Sequence, residues 1–157
     1  MKQIKVNFIL NGEEREVVTF PSVTLLELLR RQFNMIGAKP GCERGECGAC
    51  TILLDGDPVN ACLILAPQVE GKSVQTIEGL SQGDKLHPLQ TAFIEEGAVQ
   101  CGYCTPGILM AAKALLDKCN EPSRDDIKRA ISGNLCRCTG YTKIIKAIES
   151  ASKKMRK

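Results

Sequence analysis

Apolar and polar residues largely alternate in "IKVNFIL" (residues 4–10) and again in "EREVVTF" (residues 14–20). A period of two predicts strands with one face turned to a core. Between them stands Asn11-Gly12, a pair that tolerates positive φ and predicts a tight hairpin. The period then changes. Thr24 with Glu27 three positions later makes a capping box, and Leu25, Leu28 and Leu29 recur at helical spacing. A helix is expected from there. A glycine-rich, cysteine-bearing loop covers residues 37–49. It is followed by a strand at "TILL", a turn at Asp55-Gly56-Asp57, a strand around residues 59–65 and a short strand at "SVQTI" (residues 73–77).

Past Gly79 the pattern is helical. One helix is expected over residues 88–96 and a second after Thr105, with Pro106 at N1, where its missing N–H costs nothing. A third follows the cap Ser123, with Asp126 at N3, and a fourth runs from Tyr141 towards Ser152. The chain therefore divides into an α+β half, residues 1–78, and an all-α half, residues 79–157, joined near 79–86. Halves of this size bury little surface, so a metal centre would help hold each together.

Composition narrows the chemistry. The chain is 43% hydrophobic and 25% charged, which is neither disordered nor membrane-like. No apolar run approaches the roughly 18 residues of a membrane span, and the N-terminus lacks the pattern of a signal peptide. The expected location is the cytoplasm, where disulfides are disfavoured. Aromatic residues make up 4%, too few for a base-stacking platform, and the basic C-terminus reads as a solvated helix end, so nucleic acid is not an expected partner. Nine cysteines in such a chain call for metal or redox chemistry.

Four of them, Cys42, Cys47, Cys50 and Cys62, lie in "GCERGECGACTILLDGDPVNAC". Cys-x4-Cys-x2-Cys with a distant fourth cysteine is the plant-type [2Fe–2S] spacing. Gly41, Gly45 and Gly48 permit backbone N–H groups to approach the sulfurs of a dianionic centre, and Arg44 suits its charge. A zinc ribbon would want two Cys-x2-Cys knuckles. Core cysteines would leave the glycines unexplained. The other set is Cys101, Cys104, Cys136 and Cys138. A Cys-x-Cys pair aims poorly at one tetrahedral zinc and more easily at a two-iron rhomb. A thioredoxin-type site would need a strand before the Cys-x-x-Cys. Helices starting after each pair would turn their positive ends to a negative centre.

The remaining candidates read blandly. Cys119 is a spare thiol, and His87 is a cap or packing residue, since Rieske ligation needs two histidines. Tyr103 and Arg137 pack or tune from between the cysteines, and Asp125 and Asp126 cap a helix. "GCERGECG" lacks the Gly-Lys-Ser/Thr ending of a phosphate loop.

Three stretches, "GCERGECGACTILLDG", "QCGYCTPG" and "GNLCRCTGY", together resemble the signature of the small [2Fe–2S] subunit of molybdenum hydroxylases. This is the xanthine dehydrogenase, aldehyde oxidoreductase and carbon monoxide dehydrogenase family. The resemblance implies an N-terminal β-grasp, ferredoxin-like domain followed by a C-terminal four-helix [2Fe–2S]-binding domain. It implies that Cys42, Cys47, Cys50 and Cys62 hold a flavin-side cluster and that Cys101, Cys104, Cys136 and Cys138 hold a molybdenum-side one. Gln100 matches a residue that hydrogen-bonds the pterin, and Cys138 one that lies against its amino group. The chain has no room for molybdopterin or FAD domains. The implied partners are therefore a large molybdopterin-binding subunit and a medium FAD-binding subunit, in a hetero-oligomer such as a dimer of heterotrimers.

The implied function is single-electron relay from molybdopterin through two clusters to FAD or another acceptor, with no bond-making chemistry on this chain. A free-standing two-cluster ferredoxin and a zinc-stapled interaction module are the rivals. Two dianionic clusters would bring the formal +3 to about −1, so docking should rest on local patches.

Overall fold

The structure is a computed structural model that describes residues 2–156. Strands β1 (Ile4–Leu10) and β2 (Glu13–Thr19) form the expected hairpin, pairing Ile4 with Thr19 and Leu10 with Glu13. Asn11 and Gly12 turn it at φ of 52° and 87°. Val6, Phe8 and Leu10 point inwards and their neighbours outwards, as the alternation requires. Strands β3 (Thr51–Leu54), β4 (Asp57–Asn60) and β5 (Ser73–Gln75) complete a sheet of order β2-β1-β5-β3-β4. β1 and β5 run parallel at its centre and the other pairs are antiparallel. Helix α1 (Leu25–Arg31) covers one face. Its cap is the predicted box: the Glu27 amide donates to Thr24 Oγ1 at 3.2 Å and the Thr24 amide to Glu27 Oε2 at 3.3 Å. This is a β-grasp arrangement.

The helical half contains α2 (Pro88–Glu95), α3 (Thr105–Lys118), α4 (Arg124–Ala130) and α5 (Thr142–Met155). Leu89, Phe93, Ile108, Ile127, Ile144 and Ile148 are fully or almost fully buried in one core between them. The starts of α2 and α4 are capped by local side chains. His87 Nδ1 accepts from the Leu89 amide at 3.2 Å, and Ser123 Oγ accepts from the Asp126 amide at 3.2 Å.

"TILL" does not alternate because both of its faces are covered. Ile52 joins the core beneath α1, whereas Leu53 is buried against Met110 and Ala114 of α3. The sheet thus carries the helical half on its second face, and an ion pair from Lys118 to Asp57 closes the edge of that contact.

One expectation needs correcting. The strand foreseen around residues 59–65 ends at Asn60, and Ala61–Leu63 form a 3-10 turn. The turn buries Ala61 and Cys62 together. The Ala61 amide bonds the Cys50 carbonyl at 3.2 Å, and the turn then brings Cys62 back towards Cys50.

Candidate metal centres

The first cysteine loop is shaped before any metal is considered. Arg30 Nη1 on α1 donates to the carbonyls of Ile36 at 2.8 Å and Ala38 at 2.9 Å, and the Lys39 amide bonds the Ala49 carbonyl at 3.0 Å. These bonds pin the base of the loop. Within it, Cys42 Sγ accepts the amides of Glu46 at 3.2 Å and of Arg44 and Cys47 at 3.4 Å each, while Cys47 Sγ accepts the Cys42 amide at 3.4 Å. The convergence requires unusual backbone: Glu43, Gly45 and Gly48 all have positive φ. At Gly41 a Cβ would sit 2.6 Å from Cys47 Sγ. Arg44 acts through its amide, since its exposed guanidinium lies 4.0 Å from Glu46.

The electrostatics of the loop are uneven. Amide donation from Arg44, then Cys47 and Glu46, lowers the Cys42 thiol to about 6. Burial pushes Cys50, beside Cys62, up to about 12. A free thiolate at Cys50 is penalised, and a bound cation is what offsets such a penalty.

The second set comes from two segments. Cys104 ends the first segment as the residue before α3, and Cys136 and Cys138 lie in the turn leading to α5. Cys104 meets Cys136, and Cys101 meets Cys138. Burial pushes Cys104 up to about 12, and contact with the Cys101 thiol raises Cys138. At Cys136 burial acts upwards, but hydrogen bonds from Thr139 and the Cys138 amide outweigh it and hold the thiol below its ordinary range. Cys101 and Cys138 are exposed, as is Gln100, which places all three on the outer rim of this set.

In both sets the sulfurs lie two by two: Cys42 with Cys47, Cys50 with Cys62, Cys101 with Cys138, Cys104 with Cys136. Among the described residues no three or more of His, Cys, Asp and Glu converge on a single metal-ion position. Two thiolates per iron is how four ligands divide over a two-iron cluster. Together with the amides aimed at sulfur, this donor set fits a [2Fe–2S] group at each place.

The two sets are neighbours. The Leu135 amide donates to the Cys47 carbonyl at 2.9 Å. Buried Asn134 donates through Nδ2 to the Gly48 carbonyl at 2.9 Å and to Thr51 Oγ1 at 3.0 Å. A Cβ on Gly107 would lie 2.4 Å from the Gly48 carbonyl, so α3 approaches the first loop backbone to backbone. The Tyr103 hydroxyl donates to the Pro40 carbonyl. Cysteines of both sets line one cavity of about 240 Å³.

Comparisons with known proteins agree with this geometry. The family described as "2Fe-2S iron-sulfur cluster binding domain" matches residues 8–76, and "[2Fe-2S] binding domain" matches residues 76–149. The nicotinate dehydrogenase small FeS subunit of Eubacterium barkeri is 52% identical, with 96% of each chain covered. The chain belongs to the family of small [2Fe–2S] subunits of molybdenum hydroxylases. The crystal structure of quinoline 2-oxidoreductase from Pseudomonas putida 86 contains a chain that superposes with a TM-score of 0.95 at 45% identity, covering 99% of this chain and 98% of that one. The aldehyde oxidoreductase of Desulfovibrio desulfuricans ATCC 27774 superposes with a TM-score of 0.94 at 44% identity over 97% of this chain, but this is 17% of that chain. In that relative the same unit is part of a much longer polypeptide. This chain is accordingly an iron–sulfur electron-transfer subunit of an oxidoreductase, with two [2Fe–2S] domains and no substrate chemistry of its own. Among the described residues no helix is long and apolar enough to cross a membrane.

Sequence reasoning missed Asn134, Thr139 and Tyr141. All three lie in "GNLCRCTGY", where the sequence points to the cysteines and Arg137 as the residues at the centre, and to Tyr141 only as a helix start. His87 is the helix cap it was expected to be, and Cys119 follows the end of α3 away from both sets.

Proposed function

We propose that this chain relays single electrons from a molybdopterin-bearing partner to an FAD-bearing partner or another acceptor. Cys101, Cys104, Cys136 and Cys138 would hold the molybdenum-side [2Fe–2S] cluster, and Cys42, Cys47, Cys50 and Cys62 the flavin-side one. The bound clusters supply the one-electron redox chemistry. The chain's own residues set distance, burial and the hydrogen bonds to sulfur. Gln100 and Cys138, both exposed beside the second set, would meet the pterin. The observation that carries the reading is the direct Leu135-to-Cys47 hydrogen bond, which joins the backbone of one cysteine set to that of the other.

Residues 1–78 and 79–157 are then the two cluster domains of a cytoplasmic hetero-oligomer, such as a dimer of heterotrimers. The similarity to small subunits of nicotinate dehydrogenase and of xanthine dehydrogenase supports larger partner subunits. The test is purification from the native source with metal, acid-labile sulfide and EPR analysis. Molybdenum in a stable complex and two distinct [2Fe–2S] signals on reduction are expected. Zinc without acid-labile sulfide would sink the relay, and a two-cluster protein free of partners would make it a ferredoxin.

A further inference from the structure

The turn between Cys136 and α5 carries two hydroxyls with a directed arrangement. Thr139 Oγ1 lies 3.1 Å from Cys136 Sγ and 3.2 Å from the Tyr141 amide nitrogen. The amide can only donate, so Thr139 Oγ1 accepts there and keeps its own proton for another partner. A metal-bound cysteine is a thiolate with no proton to give. The hydroxyl proton therefore points at sulfur. Tyr141 fixes the same turn from the other side: its hydroxyl accepts the Cys136 amide at 2.8 Å and donates to the Asn134 carbonyl at 3.2 Å. Tyr141 also holds a φ of 65°, a left-handed conformation that a bulky residue adopts only where its surroundings impose it.

We propose that the Thr139 hydroxyl raises the reduction potential of the molybdenum-side cluster by donating a hydrogen bond to Cys136 Sγ, with Tyr141 as the positioning residue that sets its direction. The inference rests on the ligand assignment proposed above. Reduction adds one electron to the centre and makes the Cys136 sulfur more negative. An O–H donor to that sulfur then stabilises the reduced form more than the oxidised one. No bond is made or broken, and the proton stays on Thr139.

The experiment is an EPR-monitored redox titration of the assembled complex in wild-type, Thr139→Val and Thr139→Ser forms. The molybdenum-side signal is identified as the one that Cys138→Ser perturbs. In Thr139→Val its one-electron reduction equilibrium should fall roughly tenfold, about 59 mV, while the other signal stays where it was. Serine should restore the wild-type position. An unmoved potential in a fully loaded valine variant overturns the proposal, as does a serine variant that behaves like valine. Thr139→Ala carries the measurement if valine displaces the cluster. Loss of half the iron in both the valine and alanine variants would make Thr139 a structural support and overturn the tuning role. Wild-type protein holding zinc and no acid-labile sulfide would fail one step earlier, removing the cluster assignment and this proposal with it.

Discussion

The two cysteine sets solve one chemical problem with different means. The first is held mainly by one continuous loop, whose backbone amides reach Cys42 and Cys47 directly. The second is built from two segments, with 31 residues between Cys104 and Cys136, and the side chains of Thr139 and Tyr141 add to its support. A single loop can turn its own N–H groups inwards if glycine opens the backbone. In the second set a side-chain hydroxyl joins the backbone, Thr139 Oγ1 and the Cys138 amide both lying against Cys136. The comparison shows why the spacing of the first set was diagnostic by itself and that of the second was not.

The sharpest way to break the comparison is at the junction. Gly48 combines a φ of 68° with a position where a Cβ would lie 2.3 Å from the Gly133 carbonyl. Gly48→Ala should therefore cost roughly 3 kcal/mol or more and disturb both centres. Iron content and chemical denaturation of the complex measure it. Gly41→Ala clashes with Cys47 Sγ, at 2.6 Å, and otherwise touches Ala49 Cβ at 3.4 Å, both in the first loop, so it should disturb the first centre alone. Equal loss from both centres in Gly41→Ala would show that the sets are not separable.

Asn134→Ala comes next. It strips donors from the Gly48 carbonyl and Thr51 Oγ1, both buried, and should cost about 1–3 kcal/mol in a denaturation midpoint. Both EPR signals should persist in the folded variant. At the exposed rim, Gln100→Ala should leave stability and both signals intact while turnover with the molybdenum partner falls roughly tenfold. Loss of the second signal would instead make Gln100 a support of that centre.

The smallest effect lies away from both. Ser123→Ala removes the cap of α4 and should cost about 1 kcal/mol. A pH test accompanies it. Hydrogen bonds from Ser123, then Arg129, lower Asp126 to about 2 from an ordinary 3.8. A lowered carboxyl contributes stability that is fully present above 3.8 and is lost as pH falls through about 2. Thermal unfolding below pH 4 should show that loss in the wild type and less of it in Ser123→Ala.

Much of the molecule could be read from the chain. The hairpin at Asn11-Gly12, the cap boxes at Thr24 and Ser123, and the helix after Thr105 all follow local rules that the fold obeys. The error at Cys62 has a physical cause: periodicity describes which side a residue faces, and a turn that buries two successive residues has no period.

What the chain determined by itself was whatever depends on neighbours in sequence: turns, caps, the α+β-then-α order and the Cys-x4-Cys-x2-Cys loop. Tertiary structure alone decided that Leu53 packs against α3, that Asn134 spans to Gly48, and that Leu135 bonds Cys47 across the two sets. It also set Thr139 Oγ1 between Cys136 Sγ and the Tyr141 amide. Such contacts join residues many positions apart or depend on a backbone turn. No pattern along the chain records the distance between two of its own atoms once folded.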